Sequence, residues 1–253
     1  MNPAQSDTEA RVLLLDIEGT TTSADFVFQV LFPFARGNLK DFIGETLSSD
    51  ELRAEIHLLR REHRQDAEAG LNPTSWDEQS DDSLIDSLVA YLGWLMERDR
   101  KSTPLKSIQG RIWEAGYLAG RLKGHVYPDV LPAFDRWRRR RKTICIFSSG
   151  SALAQRLLFQ YSTAGDLTPY IERYFDTRIG SKKESQSYGR IAAELGCNPP
   201  DMLFISDVRE ELDAARQAGM KTALCVREQT EPVTPAHWVI RTFDEVFLES
   251  SLQ

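Results

Sequence analysis

The sequence predicts an α/β fold, in which a doubly wound parallel sheet is interrupted by an inserted, all-helical segment. In the second half of the chain, short apolar runs alternate with stretches of helical periodicity, which is typical of a parallel sheet covered on both faces. Near the start, one apolar run has no partner strand nearby in the sequence. We therefore expect this early strand to join the later sheet, with the helical segment inserted between them.

The early strand is predicted at residues 11–16, a short run of Val and Leu that ends in Asp16 and is followed by Gly-Thr-Thr-Thr. From about residue 25 to residue 123 the apolar residues recur at helical spacings, as in Leu84, Leu88, Leu92 and Leu95. Breaker clusters, notably at residues 70–73 and 102–104, separate the segments of this stretch, as expected for a small bundle of about four helices.

After residue 128, strands and helices alternate. The further predicted strands lie at residues 143–147, 174–176, 202–205 and 222–226. The predicted helices lie at residues 130–140, from Ala152 onward, at 184–195 and at 210–218. We accordingly expect two domains, an α/β core made of residues 1–24 and 124–253 and a helical cap made of residues 25–123.

Composition narrows the class of protein. The 253 residues are 41% hydrophobic and 27% charged, and the formal net charge is -7, which is typical of soluble globular proteins and disfavours broad binding to nucleic acids or anionic membranes. Three widely spaced cysteines favour a reducing, cytoplasmic location. The polar first nine residues do not resemble a signal peptide, and no apolar run is long enough to span a membrane.

Chemistry is expected where the predicted strands end, because ligands of open parallel sheets bind outside the carboxyl ends of the strands. Four strand ends carry polar residues, at positions 16–21, 148–151, 180–183 and 206–207. Together they supply three carboxylates, several hydroxyl groups and a lysine. This is a suitable set for holding magnesium and a phosphate group.

Each of these residues also has a structural interpretation. Asp16 can simply cap the turn that follows it, but Glu18 two positions later favours a functional site, because both acids can face one pocket. Ser148 and Ser149 can be N-caps of the next helix, a role compatible with anion binding. Lys182 is a candidate for the cation beside a phosphate group.

Other charged residues are interpreted as structural. Asp201, Glu210, Glu211 and Asp213 are predicted to be turn, cap and helix-surface acids. The basic run at residues 136–142 resembles a nucleic-acid patch, but it ends a predicted helix, where cations interact favourably with the helix dipole.

The four strand-end segments resemble, in order, the four motifs of haloacid dehalogenase superfamily phosphatases, with the helical insertion placed as their cap. Most of these phosphatases carry a second aspartate where this chain has Glu18, and the string at residues 15–22 resembles the bifunctional enolase-phosphatase family of methionine salvage. Residues 31–34, 99–110, 147–151 and 175–180 are also similar to that family. The resemblance extends from Val12 to about Phe247.

The resemblance implies roles for individual residues. Asp16 would be the nucleophile, and Glu18 would protonate the leaving oxygen and then activate water. One magnesium ion per chain would be held by Asp16, Glu18 and Asp207. Ser148 and Ser149 would bind the phosphate or the substrate oxygens. Lys182 would supply the cation, whereas Lys183 does not align with the motif.

The implied substrate is 2,3-diketo-5-methylthiopentyl 1-phosphate, which would be enolised and then dephosphorylated to the acireductone 1,2-dihydroxy-3-keto-5-methylthiopentene. The family further implies a monomer with a small phosphate ester as its partner. Three alternatives stay open: a sugar-phosphate phosphatase of the same fold, a receiver-like module in which a phosphorylated Asp16 is a signal, and nucleic-acid binding through the basic run. The roughly 100-residue insertion argues against the receiver, and the acidic net charge argues against nucleic acid.

Overall fold

A parallel sheet forms the centre of the structure, a computed structural model that describes residues 10–227 and 236–247. Its strands are Val12–Leu15 (β1), Thr143–Phe147 (β2), Ile171–Phe175 (β3), Met202–Ser206 (β4), Lys221–Cys225 (β5) and Trp238–Ile240 (β6). Within these residues the strand order is β3-β2-β1-β4-β5-β6, and every neighbouring pair is parallel. The order reverses beside β1, which is where doubly wound sheets bind their ligands.

Helices make up the rest of the regular structure. The α-helices are Phe32–Gly37 (α1), Leu39–Thr46 (α2), Asp50–Glu68 (α3), Asp81–Glu97 (α4), Thr103–Leu118 (α5), Val130–Arg139 (α6), Ala152–Gln160 (α7), Ser185–Glu194 (α8) and Arg209–Gln217 (α9). A π-helical segment, Phe26–Leu31, precedes α1, and short 3-10 turns lie at Thr168–Tyr170, Pro199–Asp201 and Phe243–Glu245. In the described part of the chain, no helix is long and apolar enough to cross a membrane.

The chain divides into two compact units. The helical unit is Phe28–Arg121, and the core unit is made of the chain before and after it. In the core unit all four residues of β1 are buried, as the central position of this strand requires. Leu14 packs with Tyr188 of α8 and Leu212 of α9 in one apolar cluster on one face of the sheet. The prediction of a parallel sheet that the early strand joins is confirmed, and the structure places this strand at the centre of the sheet.

The helical unit buries apolar helix faces together with a few charged groups. Asp66 of α3 is only 4% exposed, and it accepts hydrogen bonds from Arg100 at 2.7 Å and from the Tyr91 hydroxyl at 2.8 Å. Glu55, also on α3, pairs with Arg111 of α5. Each buried carboxylate of this unit thus has a cationic partner.

Several predicted elements differ from the structure. The strand β6 was not predicted, since it has only three residues. The third strand begins at Ile171, three residues before the predicted start. Five α-helices, not four, occupy the helical unit, because α2 follows α1 after the single residue Asn38 with no breaker cluster between them.

The basic run at residues 136–142 has structural partners. Arg136 donates to the Phe243 carbonyl at 2.6 Å, Arg140 donates to the Phe247 carbonyl at 2.6 Å, and Lys142 donates to the Ala10 carbonyl at 2.5 Å. These contacts tie α6 and the residues directly after it to both ends of the described chain. The structure therefore supports the structural interpretation of this run over a nucleic-acid surface.

Candidate active site

The site lies at the carboxyl edge of the sheet, where three neighbouring strands end. Leu15, the last residue of β1, lies opposite Ile146 of β2 and Ile205 of β4. The segments after these strands therefore emerge side by side, and they begin with Asp16, Ser148 and Asp207. Residues far apart in sequence meet here because the strands are parallel and adjacent.

Asp16 is the centre of this arrangement and is 2% exposed. Its Oδ1 accepts a hydrogen bond from the ammonium group of Lys182 at 2.5 Å, and its backbone N–H donates to the Ile205 carbonyl of β4. The hydroxyl of Ser206 lies 3.3 Å from Asp16 Oδ2 and 3.0 Å from Oε2 of Glu211. Lys182 and Ser206 thereby hold the carboxylate of Asp16 in one orientation.

Lys182 bridges two buried carboxylates. Its Nζ lies 2.7 Å from Glu211 in addition to its contact with Asp16, and its side chain is 8% exposed. Burial opposes the charged form of this lysine, but Asp16 and Glu211 outweigh it and raise the pKa of Lys182. The lysine is therefore a fixed positive charge at neutral pH.

The loop that carries Lys182 is fixed by local packing. The carbonyl of Lys182 accepts a 2.6 Å hydrogen bond from the Tyr188 hydroxyl of α8. Gly180 has φ +136°, and a methyl group at this position would overlap the Ser187 hydroxyl. Lys183, the next residue after Lys182, is exposed.

Glu18 is half-buried beside the β2 end of the site. Its Oε2 accepts a 3.3 Å hydrogen bond from the hydroxyl of Ser148, which is 1% exposed. Burial and the neighbouring charge of Asp16 raise the pKa of Glu18. A carboxyl group with a raised pKa holds its proton at a higher pH, as a general acid requires.

Asp207 lies at the exposed side of the site. Loss of solvation, followed by the charge of Asp16, raises the pKa of Asp207 to about 7. Its carboxylate also packs against Gly19, where φ is +72° and any side chain would overlap Asp207. Asp207 and the loop after β1 are therefore in direct contact.

The loop after β1 is anchored by an arginine that the sequence did not single out. Arg227, which follows β5, donates from Nε and Nη2 to the Thr20 carbonyl at 3.0 and 2.8 Å. Its Nη1 pairs with Asp129 at 2.6 Å, and its side chain is 7% exposed. Arg227, just after the end of β5, thus fixes the backbone close to Glu18.

The donor set suits a hard divalent cation. The carboxylates of Asp16, Glu18, Asp207 and Glu211 lie within electrostatic reach of the ammonium of Lys182, so negative charge is in excess. Carboxylate oxygens are the ligands that Mg²⁺ prefers. In the described chain, however, no three Asp, Glu, His or Cys side chains are already grouped as a ligand set. Asp16 Oδ1 instead contacts Lys182.

The structure brings Asp16, Glu18, Ser148, Lys182 and Asp207 together at this edge. Ser149, the remaining predicted residue, is exposed next to Ser148. The suggestion that Ser148 or Ser149 caps α7 is wrong, because the N-cap is Ser151, whose hydroxyl accepts from the Ala154 N–H.

The interpretation of Glu211 as a surface acid is also wrong, since this residue is 7% exposed and pairs with Lys182. Its place on the apolar stripe of α9, directly before Leu212 and four residues before Ala215, was the available signal. The neighbouring Asp213 is indeed exposed, where it pairs with Arg216.

Comparison with known proteins identifies the family. A family model for haloacid dehalogenase-like hydrolases matches residues 10–219. The enolase-phosphatase E1 of Synechococcus elongatus is 51% identical over 235 residues, which cover 92% of this chain and 96% of the relative. The chain belongs to the enolase-phosphatase family. The relative of the same name from Danio rerio is 42% identical, with 94% of this chain and 95% of the relative covered.

Solved structures agree with the fold. The Unknown transcript 4 protein of Saccharomyces cerevisiae has a TM-score of 0.74 and 31% identity, over 93% of this chain and 99% of that one. A dehalogenase at 15% identity has a TM-score of 0.53, over 94% of this chain and 95% of that one. The second similarity concerns the fold alone.

Proposed function

We propose that the chain converts 2,3-diketo-5-methylthiopentyl 1-phosphate to the acireductone 1,2-dihydroxy-3-keto-5-methylthiopentene and phosphate, in the methionine salvage pathway. Membership of the enolase-phosphatase family supports both parts of this reaction, the enolisation and the hydrolysis of the phosphate ester. The observation that carries the proposal is the buried carboxylate of Asp16, which contacts Lys182. Glu18, two positions after Asp16, has a raised pKa.

In the phosphatase step, an oxygen of Asp16 attacks phosphorus and the bond from phosphorus to the ester oxygen breaks. Glu18 gives its proton to that leaving oxygen, and an aspartyl phosphate is formed. Glu18, now ionised, accepts a proton from a water molecule that attacks the aspartyl phosphate. Inorganic phosphate leaves, and Asp16 and Glu18 return to their starting states.

Lys182, Ser148 and Ser149 would hold the phosphate group and the substrate oxygens. The ammonium of Lys182 compensates negative charge that builds up between the phosphate and Asp16. Ser148 is well placed for this role, because its hydroxyl is already within hydrogen-bond distance of Glu18. A substrate oxygen bound by Ser148 would therefore lie close to the proton donor.

One Mg²⁺ per chain would be held by Asp16, Asp207 and an oxygen of Glu18, and it fits the excess of carboxylates at this edge. When bound, the ion would act as a Lewis acid that neutralises charge on the phosphate and favours enolisation of the diketone. Glu211 would keep Lys182 in place when Asp16 turns toward the metal.

The helical unit is proposed to be the cap that shields the enol intermediate from water. The widely spaced cysteines, unpaired in the structure, are consistent with a cytoplasmic location. We further propose that the enzyme acts as a monomer.

The test is a time course with the synthetic diketo phosphate and Mg²⁺, in which enol absorbance and phosphate release are followed together. The proposal requires enol to appear before phosphate. Release of phosphate from sugar phosphates or aryl esters, with no reaction of the diketone, would support phosphatase activity at this site but contradict the proposed substrate. Stable phosphorylation of Asp16 without turnover would indicate a receiver instead.

A further inference from the structure

A glutamine outside the strand-end motifs holds the loop that carries Ser148 and Ser149. Gln155 lies on α7 and is 2% exposed. Its Nε2 donates to the Gly150 carbonyl and to the Phe175 carbonyl, both at 2.8 Å. One side-chain amide therefore joins the β2–α7 loop to the end of β3.

The same loop is tied to β3 by its own backbone. The Ser148 N–H donates to the Phe175 carbonyl at 3.2 Å, so this carbonyl accepts from both Ser148 and Gln155. Within the loop, the Gly150 N–H donates to the Ser148 hydroxyl at 3.1 Å. Gln155 thus closes a ring of hydrogen bonds around Ser148, Ser149 and Gly150.

A further side chain, from the residue directly after β3, supports the start of α7. Asp176 accepts a 3.3 Å hydrogen bond from the Ala152 N–H at Oδ2 and a 2.9 Å bond from the Arg178 N–H at Oδ1. Burial opposes ionisation of this carboxyl group, but its bonds to Arg178 and Ala152 outweigh it and lower the pKa of Asp176. Both ends of the loop are therefore fixed to the strand next to β2.

The remaining atom of the Gln155 amide argues against a purely structural role. Its Oε1 is buried and has no hydrogen-bond partner among the described residues. An unpaired buried acceptor is costly, and an apolar side chain of similar size would avoid that cost. What the glutamine supplies is its pair of N–H donors, one directed at this loop and the other at the carbonyl of β3 to which Ser148 is also bonded.

We infer that Gln155 is a positioning residue, which holds Ser148 and Ser149 in the geometry that binds the phosphate group of the substrate. The inference rests on the proposed function, since it assigns the phosphate end of the substrate to this loop. Small displacements of a binding loop are expected to weaken binding strongly, because the groups that bind the ligand must be held in one geometry.

The experiment measures competitive inhibition by inorganic phosphate in the wild-type enzyme and in Gln155→Met. Methionine keeps the length and volume of the side chain and removes both donors. We expect the inhibition constant for phosphate and the KM for the phosphate ester to rise about tenfold, roughly what loss of one or two hydrogen bonds gives, with a smaller change in kcat. Gln155→Asn, which keeps an amide one methylene shorter, gives the second measurement if the methionine variant does not fold.

The matched control is Leu158→Ala on the same helix. Leu158 is 3% exposed, so its truncation destabilises α7 without removing a bond to the loop. The inference requires the inhibition constant of this control to stay at the wild-type value, even when its melting temperature falls as far as that of Gln155→Met.

Two failures are distinguishable. If phosphate inhibits the wild type and Gln155→Met equally, Gln155 has no positioning role, while the proposed function stands. If the wild type neither hydrolyses phosphate esters nor is inhibited by phosphate, the proposed function fails together with the inference.

Discussion

The helical unit and the carboxyl edge of the sheet both bury charged side chains, but they compensate the charge differently. In the helical unit each buried carboxylate has its own cation, as Asp66 has Arg100. At the sheet edge one ammonium, Lys182, contacts both Asp16 and Glu211, while the carboxyl groups of Glu18 and Asp207 lie nearby with raised pKa values.

This difference distinguishes buried charge with a structural role from buried charge with a functional role. A compensated pair fixes one packing arrangement and needs nothing more. An uncompensated group of carboxylates is held at a cost in stability and has unused capacity to bind a cation or transfer a proton. If this contrast is correct, variants at the sheet edge will change activity, and variants in the helical unit will change stability.

The largest effect is expected for Asp16→Asn. The amide keeps the shape of the side chain but cannot attack phosphorus, so activity should fall by about 10⁴-fold or more. Phosphate release measures this fall, and circular dichroism checks that the variant is folded. Substantial turnover by the folded variant would show that Asp16 is not the nucleophile. It would also contradict the expectation that variants at the sheet edge change activity.

Lys182→Met is expected to lower kcat by about 10²- to 10³-fold, because the fixed positive charge beside the reacting phosphate is lost. Lys183→Met is the matched control, since this neighbouring lysine is exposed. Its kcat should be unchanged. Equal kcat values for the two variants would show that burial between Asp16 and Glu211 gives Lys182 no special function.

Asp66→Asn tests the other region. Asparagine removes the negative charge and leaves a single acceptor oxygen for the two donors, Arg100 and Tyr91, so the free energy of unfolding should fall by about 1–3 kcal/mol. Urea unfolding measures the loss, and kcat of the folded variant should equal that of the wild type. A large fall in kcat with no change in stability would reverse the expected contrast.

The smallest effect concerns pH and Asp207. The folded protein raises the pKa of Asp207 from 3.8 to about 7, so the stability that its protonated form contributes is present below pH 4 and is lost as pH rises toward 7. Asp207→Asn does not ionise and should avoid this loss. Because Asp207 is exposed, we expect the variant to melt only about 2–4 °C higher than wild type at pH 8 in a chelator.

The comparison between about pH 3 and pH 8 is the control for that measurement. The two proteins should melt at similar temperatures at about pH 3, where the carboxyl group is mostly protonated in both the folded and the unfolded state. At pH 8, added Mg²⁺ should stabilise the wild type more than Asp207→Asn. An identical response of both proteins to Mg²⁺ would contradict a role for Asp207 as ligand.

Much of this site was predictable because the carboxyl ends of parallel strands lie at the same edge of a sheet. Once β1 was expected beside later strands, the positions after each strand end had to meet, and this brought Asp16, Ser148, Lys182 and Asp207 together on the basis of sequence alone. The order of the strands was not predicted in detail, since short apolar runs do not encode which neighbour each strand takes.

The residues that sequence analysis missed act through tertiary contacts. Glu211 lies among other acids on α9, and only its pairing with Lys182 separates it from its exposed neighbours. Gln155 and Arg227 donate to backbone carbonyl groups, which no side-chain motif records. The strand β6 is three residues long, too short for alternation of apolar and polar residues to be recognised.

The central place of β1 has a consequence during synthesis of the chain. This strand is made first, yet its partner β2 begins about 130 residues later, and β4 follows later still. At about 5–20 residues per second, the ribosome needs roughly 7–26 seconds to reach β2. For that time the apolar segment Val12–Leu15 has no sheet to enter, while the helical insertion is already emerging. We expect the nascent chain to depend on early folding of the helical unit, or on a chaperone, to keep this strand from pairing with another chain.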